Sequence, residues 1–390
     1  MVTTSKKFKH VPPYLFAEID KKRAQAIAGG VDIINLGIGD PDQPTFPHIV
    51  AAMHNAIDNP ANHNYPPYEG TKNFREAVAS WYKKRFNIDL NPDTEVLSLI
   101  GSKEGIAHLL SAYIDPGDIV LVPSPGYPVY KMGTILTGGT PFFVPLTTEN
   151  NFLPDLDSIP ADVVKKAKIL YVNYPNNPTA AIAEIPFYKK VVKWAKNNNI
   201  LIASDLAYSE MTYDGYKAPS ILEVDGAKDV AIEFHSLSKS FNMTGWRIGM
   251  AVGNKDAINA LGVIKTNIDS GIFKAIQEAG IVALTQPAPQ IELTNNLYKE
   301  RRDVLTKGLN ELGWNLRPIK ATFYVWAPVP KKYTSAEFVT KVLDECGIVI
   351  VPGNGYGPEG EGYFRIALTE TKERITQALQ RLKDKNISYK

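Results

Sequence analysis

The middle of the chain alternates short apolar segments with segments of helical periodicity, and this alternation constrains the fold more than any other feature of the sequence. Strands that are apolar throughout, and that helices separate, are typical of a parallel sheet covered by helices on both faces. The predicted strands are residues 95–100, 118–122, 140–144, 168–172, 200–204 and 230–234. Predicted helices at 102–112, capped by Ser102, and at 188–198 lie between them. The sequence therefore predicts an α/β fold.

Both ends of the chain predict a second, smaller unit. Proline-rich residues 285–290 close the alternating region, and a long amphipathic helix at 293–312 leads into a C-terminal α+β portion. A helix at 16–28 and a loop at 37–44 begin the chain, and we expect them to pack with that portion. The predicted divisions are an N-terminal arm at 1–45, a large domain at 46–288 and a small domain at 289–390.

Charge and composition exclude several classes of function. The 390 residues include 43 basic and 41 acidic side chains without a long run of like charge, which argues against nucleic acid or a membrane surface as partner. Cys346 is the only cysteine and no HExxH pair occurs, so neither a disulfide nor a metal site is predicted. The first residues lack the apolar core of a signal peptide and no apolar run approaches a membrane span, so we expect a cytoplasmic protein.

One lysine lies among hydroxyl groups, in the segment Ser236-Leu237-Ser238-Lys239, and Arg247 follows eight residues after it. An ε-amine can form an imine with an aldehyde cofactor. Hydroxyls and a planar guanidinium can hold the phosphate of such a cofactor. A solvated surface loop accounts for this short segment equally well.

A carboxylate and a phenol follow the predicted strand at 200–204, as Asp205 and Tyr208. A carboxylate at the end of a buried strand is costly unless it meets a cation. A protonated pyridine nitrogen would be such a cation, and the retained positive charge would make the ring an electron sink. The Tyr208 hydroxyl could reach the oxygen of that ring. The alternative role for Asp205 is a helix N-cap.

Other polar residues follow neighbouring predicted strands. Asn177 lies between two prolines, where its amide could donate to a ring oxygen or simply belong to a rigid turn. Gly101, Ser102 and Lys103 open a predicted helix, whose N–H groups and dipole favour an anion, although neither GxxxxGK[ST] nor GxGxxG is present. Tyr127, on a proline-stiffened loop, could stack on a flat cofactor or belong to the core.

An arginine, Arg365, interrupts an apolar segment near the C-terminus. A buried guanidinium needs an anionic partner, and a substrate carboxylate could bind it through two parallel hydrogen bonds. Such a contact is worth about 1.5–3 kcal/mol. A structural salt bridge is the competing interpretation.

Taken together and in this order, these segments resemble the class I/II pyridoxal-phosphate aminotransferases of fold type I over nearly the whole chain. The resemblance also includes the pattern Gly37-x-Gly39-x-Pro41-Asp42 and, further on, Tyr65 with Gly70 and Arg75. It implies a mainly parallel seven-stranded sheet in the large domain and a smaller α+β domain. It also implies pyridoxal 5′-phosphate as the cofactor, with small amino acids and 2-oxo acids as substrates.

The resemblance assigns roles to the cofactor site. Lys239 would bind the cofactor covalently and move a proton between the substrate Cα and the cofactor. Asp205 would pair with the pyridine nitrogen, Tyr127 would stack on the ring, and Asn177 and Tyr208 would contact the ring oxygen. The residues around the phosphate would be Gly101, Ser102, Lys103, Ser236, Ser238 and Arg247.

For the substrate, the resemblance implies that Arg365 binds the α-carboxylate, helped by Asn177 and the backbone at Gly39. The residue matching Tyr65 reaches the phosphate of the neighbouring subunit in this family, which implies a homodimer with shared active sites.

Within the family, the segments LGIGDPDQPT, 14–19, 351–357 and 360–363 resemble the LL-diaminopimelate aminotransferases most. This implies transfer between LL-2,6-diaminopimelate and 2-oxoglutarate in lysine biosynthesis, with Tyr14 near the substrate. Two positions depart from the pattern: Tyr68 stands where plant-type members carry a glutamate, beside Glu69, and Ala180 replaces a usual glycine. A broad aspartate or alanine aminotransferase and a cofactor-dependent C–S lyase therefore stay open as alternatives.

Overall fold

The computed structural model describes residues 2–5, 7–10 and 15–389, so Tyr14 lies outside the described residues. The strands are β1 (Ile34–Asn35), β2 (Val96–Leu99), β3 (Ile119–Ser124), β4 (Thr140–Pro145), β5 (Ala167–Asn173), β6 (Leu201–Asp205), β7 (Ala231–Ser236), β8 (Gly249–Gly253), β9 (Tyr324–Pro328), β10 (Ile348–Val349), β11 (Val351–Pro352) and β12 (Tyr363–Ala367). The helices are α1 (Leu15–Ala28), α2 (Pro47–Ile57), α3 (Lys72–Phe86), α4 (Ser102–Tyr113), α5 (Pro128–Thr137), α6 (Ala161–Val164), α7 (Ile185–Asn198), α8 (Leu237–Ser240), α9 (Lys255–Thr266), α10 (Lys274–Thr285), α11 (Gln290–Glu311), α12 (Ser335–Cys346) and α13 (Lys372–Asp384).

A seven-stranded sheet forms the centre of the molecule, in the order β2-β8-β7-β6-β5-β3-β4. Strands β7, β6, β5, β3 and β4 run parallel, while β8 is antiparallel to both of its neighbours. The predicted α/β class and the mainly parallel sheet are confirmed. All six strands expected from the apolar pattern are present, and β8, whose sequence is Gly-Met-Ala-Val-Gly, is the strand that the pattern missed.

Helices cover both faces of this sheet, which explains why its strands are apolar throughout. Side chains alternate between the faces along a strand. Leu121 and Leu170 therefore belong to the core cluster on one face, while Val120 and Ile169 belong to the cluster on the other. Both clusters exclude water, so no strand of this central region needs a polar face.

A smaller three-stranded antiparallel sheet, in the order β11-β12-β9, lies in the C-terminal part of the chain. Its core cluster includes Ile34 and Leu36 from the N-terminal part, and β1 pairs with β10 in parallel. The N-terminal segment thus packs on C-terminal residues. The domain limits at residues 45 and 288 stay a prediction.

The four predicted helices are present as α1, α4, α7 and α11, with ends shifted by up to three residues. One detail of the prediction is wrong: Ser102 is the first residue of α4, and the N-cap is Gly101, which makes no side-chain cap bond. A cap without a side chain leaves the first N–H groups of α4 open to another acceptor. Among the described residues, no helix combines the length and the apolar character needed to cross a membrane.

Candidate active site

A cavity of about 460 Å³ opens beyond the carboxyl ends of the parallel strands, where open α/β sheets bind their ligands. The predicted site residues that line it are Gly39, Ser102, Lys103, Tyr127, Asn177, Asp205, Tyr208, Ser236, Ser238, Lys239 and Arg247. Gly101 and Arg365 lie directly behind this lining, against Arg247 and Asn177 respectively. The structure thus brings together, in one place, residues that span more than three hundred positions of the sequence.

Lys239 lies in the short helix α8, just after strand β7, and its side chain is partly buried. Its Nζ donates a hydrogen bond of 2.9 Å to the carbonyl oxygen of Gly39. Burial lowers the pKa of the Lys239 ammonium to about 8; Asp40 opposes this shift, while the positive charges of Arg365 and Arg247 add to it. The amine is therefore neutral far more often than an exposed lysine, as a nucleophile or a base must be.

Asp205 is the last residue of β6 and is buried. Tyr130 donates a hydrogen bond of 2.7 Å to its Oδ2, and the Asn173 amide donates one of 2.8 Å to its backbone carbonyl. Its Oδ1 has no hydrogen-bond partner among the described residues. Burial raises the pKa of the Asp205 carboxyl to about 6, and the bond from Tyr130 opposes this. One fixed and one unpartnered oxygen at the cavity wall suit a cationic N–H donor.

Arg365 is buried within β12, next to Asn177. Its Nη1 donates to Asn177 Oδ1 at 2.9 Å, and its Nη2 donates to the Gly37 carbonyl at 2.8 Å. No carboxylate within the described part of the chain forms a salt bridge with it, so the structural salt bridge considered above is absent there. A buried guanidinium that meets only neutral acceptors is suited to an incoming carboxylate.

The start of helix α4 and Arg247 form the anion-binding end of the cavity. Gly101 has φ +76°, and a Cβ at this position would lie 2.2 Å from Nη2 of Arg247. Only glycine lets the guanidinium approach the helix start so closely. Arg247 Nη1 also donates to the Thr244 carbonyl at 2.7 Å, which fixes its direction. A helix N-terminus and a guanidinium together favour a phosphate dianion.

Hydroxyl groups complete this end. Ser236 is the last residue of β7, and its Oγ accepts the Ser238 N–H at 3.2 Å, which caps helix α8. This cap places both serines and Lys239 on one tight turn at the end of a parallel strand. The local sequence Ser-x-Ser-Lys therefore has a structural reason as well as a chemical one.

The aromatic residues of the prediction differ in where they lie. Tyr127 lines the cavity and packs edge-on against Tyr130, with ring centroids 5.9 Å apart. The Tyr208 hydroxyl lies 3.1 Å from that of Tyr324. Tyr65, in contrast, is 85% exposed and lies outside the lining. Its contact with a neighbouring subunit stays a prediction, because one chain alone does not bring Tyr65 to its own cavity.

Several lining or supporting residues were not predicted. Asp40, Thr244, Gly245 and Tyr324 line the cavity, and Tyr130 supports it from behind. Asn173, the last residue of β5, was given no role in the prediction; its Oδ1 accepts the Asn177 N–H at 2.9 Å. Its place directly at a strand end was a usable signal. Tyr130 and Tyr324 lie in apolar contexts and gave no such signal.

The departure at Ala180 has a visible backbone explanation. This residue has φ +58°, a left-handed conformation that glycine adopts without strain and alanine adopts at a cost. The glycine that the family usually carries here would adopt this turn after Asn177 without that cost.

These residues fit pyridoxal phosphate, the cofactor that the resemblance implies. The unpartnered Asp205 Oδ1 matches a protonated ring nitrogen, the Gly101–Arg247 end matches the phosphate, and the Lys239 amine, with its lowered pKa, matches the aldehyde. When bound, this cofactor supplies the electron sink that makes loss of a substrate Cα proton feasible. The protein supplies the base, the charge pairs and the orientation.

Comparison with known proteins places the chain in one family over most of its length. The family profile described as aminotransferase class I and II matches residues 31–382. The chain is 59% identical over 384 residues to the LL-diaminopimelate aminotransferase of Aquifex aeolicus, covering 98% of this chain and 99% of the relative. It is 58% identical over 386 residues to LL-diaminopimelate aminotransferase 2 of Trichormus variabilis, covering 99% of each.

Among solved structures, apo-BacF from Bacillus subtilis superposes with a TM-score of 0.96 at 38% identity, covering 100% of both chains. Sequence, fold and site geometry thus agree over the full length, and the chain belongs to the class I and II aminotransferases, enzymes that depend on pyridoxal phosphate.

Proposed function

We propose that this aminotransferase exchanges an amino group between LL-2,6-diaminopimelate and 2-oxoglutarate, in the biosynthesis of lysine. The observation that carries the proposal is full-length identity of 58–59% to relatives named LL-diaminopimelate aminotransferase. The cavity agrees with a substrate that carries an α-carboxylate and a second charged end.

The near end of the substrate is assigned to three side chains. Arg365 binds the α-carboxylate, with Asn177 holding the guanidinium in place at 2.9 Å. With the cofactor and substrate bound, Lys239 would accept the Cα proton as a neutral amine. Arg365 is buried and Lys239 is partly buried, which limits the access of water to this proton transfer. The same groups serve any L-amino acid, so they do not select diaminopimelate.

The far end of diaminopimelate carries an ammonium and a carboxylate, and the cavity offers a charge for each. Asp40 and Lys103 both line the cavity; Asp40 follows Gly39 in the chain, and the Nζ of Lys103 lies 5.9 Å from the centre of the Tyr127 ring. Neither Tyr68 nor Glu69 is among the residues that line the cavity of this chain. We assign Asp40 to the distal ammonium and Lys103 to the distal carboxylate.

The proposal includes a homodimer in the cytoplasm. Tyr65, 85% exposed in one chain, would reach the phosphate in the neighbouring subunit. The cofactor contacts are proposed as the resemblance gives them. Gly101, Ser102 and Lys103, largely through their backbone, and Ser236, Ser238 and Arg247 would surround the phosphate. Tyr127 would stack on the ring, Asp205 would pair with its nitrogen, and Asn177 and Tyr208 would contact its oxygen.

The test is a panel of amino donors with 2-oxoglutarate: LL-diaminopimelate, its meso isomer, aspartate and alanine. We expect LL-diaminopimelate to have a kcat/KM at least ~10-fold above that of any other donor, the effect of one well-placed charge contact of about 1.4 kcal/mol. Lys239→Ala is the inactive control. Equal or better turnover of aspartate or alanine would contradict the proposal, as would release of ammonia without a 2-oxo acid acceptor.

A further inference from the structure

Tyr324, the first residue of β9, lies between groups that serve the cofactor and groups that serve the substrate. It is only 2% exposed, lines the cavity, and contacts Arg365, Tyr208 and Gly39. We propose that Tyr324 is a positioning residue that fixes the carboxylate-binding guanidinium and the ring-oxygen hydroxyl relative to each other. This inference rests on the cofactor site proposed above.

The first contact is with Arg365. The centre of the guanidinium lies 4.1 Å from the centre of the Tyr324 ring, which is close enough for a cation–π interaction. Tyr356 offers a second ring, 5.2 Å from the same guanidinium. With two Nη groups bonded to Asn177 and Gly37, the plane of the guanidinium is fixed before a substrate arrives. Because the guanidinium is already fixed, less side-chain conformational entropy is lost when the substrate carboxylate binds.

The second contact is the hydroxyl pair formed by Tyr324 and Tyr208, 3.1 Å apart and buried. Each phenol has one hydrogen to donate. When Tyr324 donates to Tyr208, the hydrogen of Tyr208 stays available for an acceptor in the cavity, where the ring oxygen is expected. Without the Tyr324 hydroxyl, Tyr208 loses the donor that sets its direction. Tyr324 therefore acts on the cofactor through Tyr208.

The third contact explains Gly39. A Cβ at Gly39 would lie 2.1 Å from the Tyr324 hydroxyl oxygen, so no larger residue fits while Tyr324 keeps its position. The carbonyl of the same glycine accepts the Lys239 Nζ hydrogen bond. The side chain of Tyr324 therefore packs against the segment that holds the lysine, as well as against Arg365 and Tyr208.

The hydroxyl role is tested with Tyr324→Phe, which keeps the ring stacked on Arg365. In the cofactor-loaded enzyme we expect the pH midpoint of the cofactor absorbance to move by about 0.5 unit or more, since a hydrogen bond to the ring oxygen favours one protonation state. Tyr208→Phe should produce a similar shift, and the double variant should add little to either. The KM of amino donors should change less than about twofold, because the stack is kept.

Tyr216→Phe is the matched control, because its hydroxyl donates to the Ala183 carbonyl at 3.3 Å and neither residue lines the cavity. The pH midpoint of its cofactor absorbance should equal that of the unaltered enzyme. An unshifted midpoint in Tyr324→Phe, or shifts of Tyr324→Phe and Tyr208→Phe that simply add, would overturn the hydroxyl role. Failure of the unaltered protein to bind the cofactor would instead overturn the proposed function.

The stacking role is tested with Tyr324→Leu, which removes the ring. We expect the KM of amino acids to rise about tenfold, the effect of losing a desolvated cation–π contact. The slow half-reaction with a primary amine that lacks a carboxylate should change less than about twofold. If the reactions with amino acids and with the amine that lacks a carboxylate were impaired equally, the defect would be a general structural one, and the stacking role would be wrong.

Discussion

Tyr130 donates a hydrogen bond of 2.7 Å to Oδ2 of Asp205, while Oδ1 of this buried carboxylate has no partner among the described residues. The carboxylate is thus held in one orientation by a neutral donor and keeps one oxygen for a cation. Because burial raises its pKa to about 6, the cofactor-free protein carries an uncompensated negative charge at neutral pH. Stability and cofactor binding therefore make opposite demands on this residue.

Asp205→Asn should stabilise the cofactor-free protein and weaken its hold on the cofactor. The folded pKa of about 6 lies above the ordinary aspartate pKa of 3.8, so the folded state binds more protons and the free energy of unfolding falls as pH rises between these values. Removing the charge should recover about 1–3 kcal/mol at pH 7. Denaturant unfolding at pH 7 and 4, with equilibrium dialysis of the cofactor, measures both effects.

Asp89→Asn is the control, since Asp89 is exposed and pairs with Lys83 at the surface. It should change neither cofactor retention nor the pH dependence of unfolding. A cofactor-free Asp205→Asn protein that is less stable than the unaltered protein at pH 7 would contradict the charge argument. Unchanged cofactor retention would contradict the role of Asp205 at the ring nitrogen.

The rate at which cofactor-free protein binds pyridoxal phosphate covalently should rise with pH and level off above about 8. Burial lowers the pKa of Lys239 to about 8, so the neutral, nucleophilic amine is the minor form below that pH and the major form above it. Stopped-flow absorbance between pH 6.5 and 10 follows the reaction. At the acid end, the rate constant should rise about tenfold per pH unit, as expected for one deprotonation. A rate still rising at pH 10 would mean an ordinary lysine pKa.

Arg365→Ala should raise KM for every amino donor that has an α-carboxylate. The loss of a bidentate charged contact worth about 1.5–3 kcal/mol corresponds to a factor of about 10–150. The KM values of LL-diaminopimelate, aspartate and alanine should rise by similar factors, while the absorbance of the bound cofactor stays as in the unaltered enzyme. A rise in KM for only one amino donor would show that Arg365 binds the side chain of that donor instead of the shared α-carboxylate.

Asp40→Asn should lower kcat/KM for LL-diaminopimelate more than for alanine, because alanine has no distal ammonium for the Asp40 carboxylate to meet. We expect the ratio of kcat/KM for LL-diaminopimelate to kcat/KM for alanine to fall about tenfold, which is the effect of losing one charge contact. The matched experiment with Lys103→Met should affect substrates with a distal carboxylate, including aspartate. A uniform effect of Asp40→Asn on alanine and diaminopimelate would contradict its assignment.

The sequence predicts the parallel strands well because each one is buried on both faces and therefore apolar. Strand β8 escaped prediction because its terminal glycines, Gly249 and Gly253, are typical of turns. The structure gives the reason for Gly249: a Cβ there would lie 2.9 Å from the Ser102 nitrogen at the start of α4. This glycine in a strand therefore marks the close approach of the start of α4.

The polar site residues were predictable because a charge at the end of an apolar strand, such as Asp205, or inside one, such as Arg365, needs a partner of opposite charge. The aromatic ones were not. Tyr130 and Tyr324 contact these charges across distant parts of the chain, and in the sequence they are indistinguishable from core residues. Tyr65 was predicted from the family resemblance alone. The residues of a single chain gave no argument for it, because its expected contact belongs to another subunit.

Lys265 supports the anion-binding end of the cavity from behind, and its removal should be strongly destabilising. It is completely buried in α9, with its Nζ 2.8 and 2.9 Å from the Asp269 oxygens and 3.6 Å from Glu104 Oε2. The same Glu104 oxygen accepts the Ile100 N–H at 3.0 Å, directly before Gly101. The ammonium thus compensates two largely buried carboxylates, one of which holds the start of α4.

Lys265→Met keeps much of the side-chain volume but leaves both carboxylates without their cation, so the free energy of unfolding should fall by about 3–5 kcal/mol. Lys83→Met, which breaks an exposed pair with Asp89, should cost at most about 1 kcal/mol. Urea unfolding of the cofactor-free proteins compares the two. Cofactor retention should also weaken in Lys265→Met, because Glu104 no longer holds Ile100 firmly; equal stability of the two variants would show that the buried cation is dispensable.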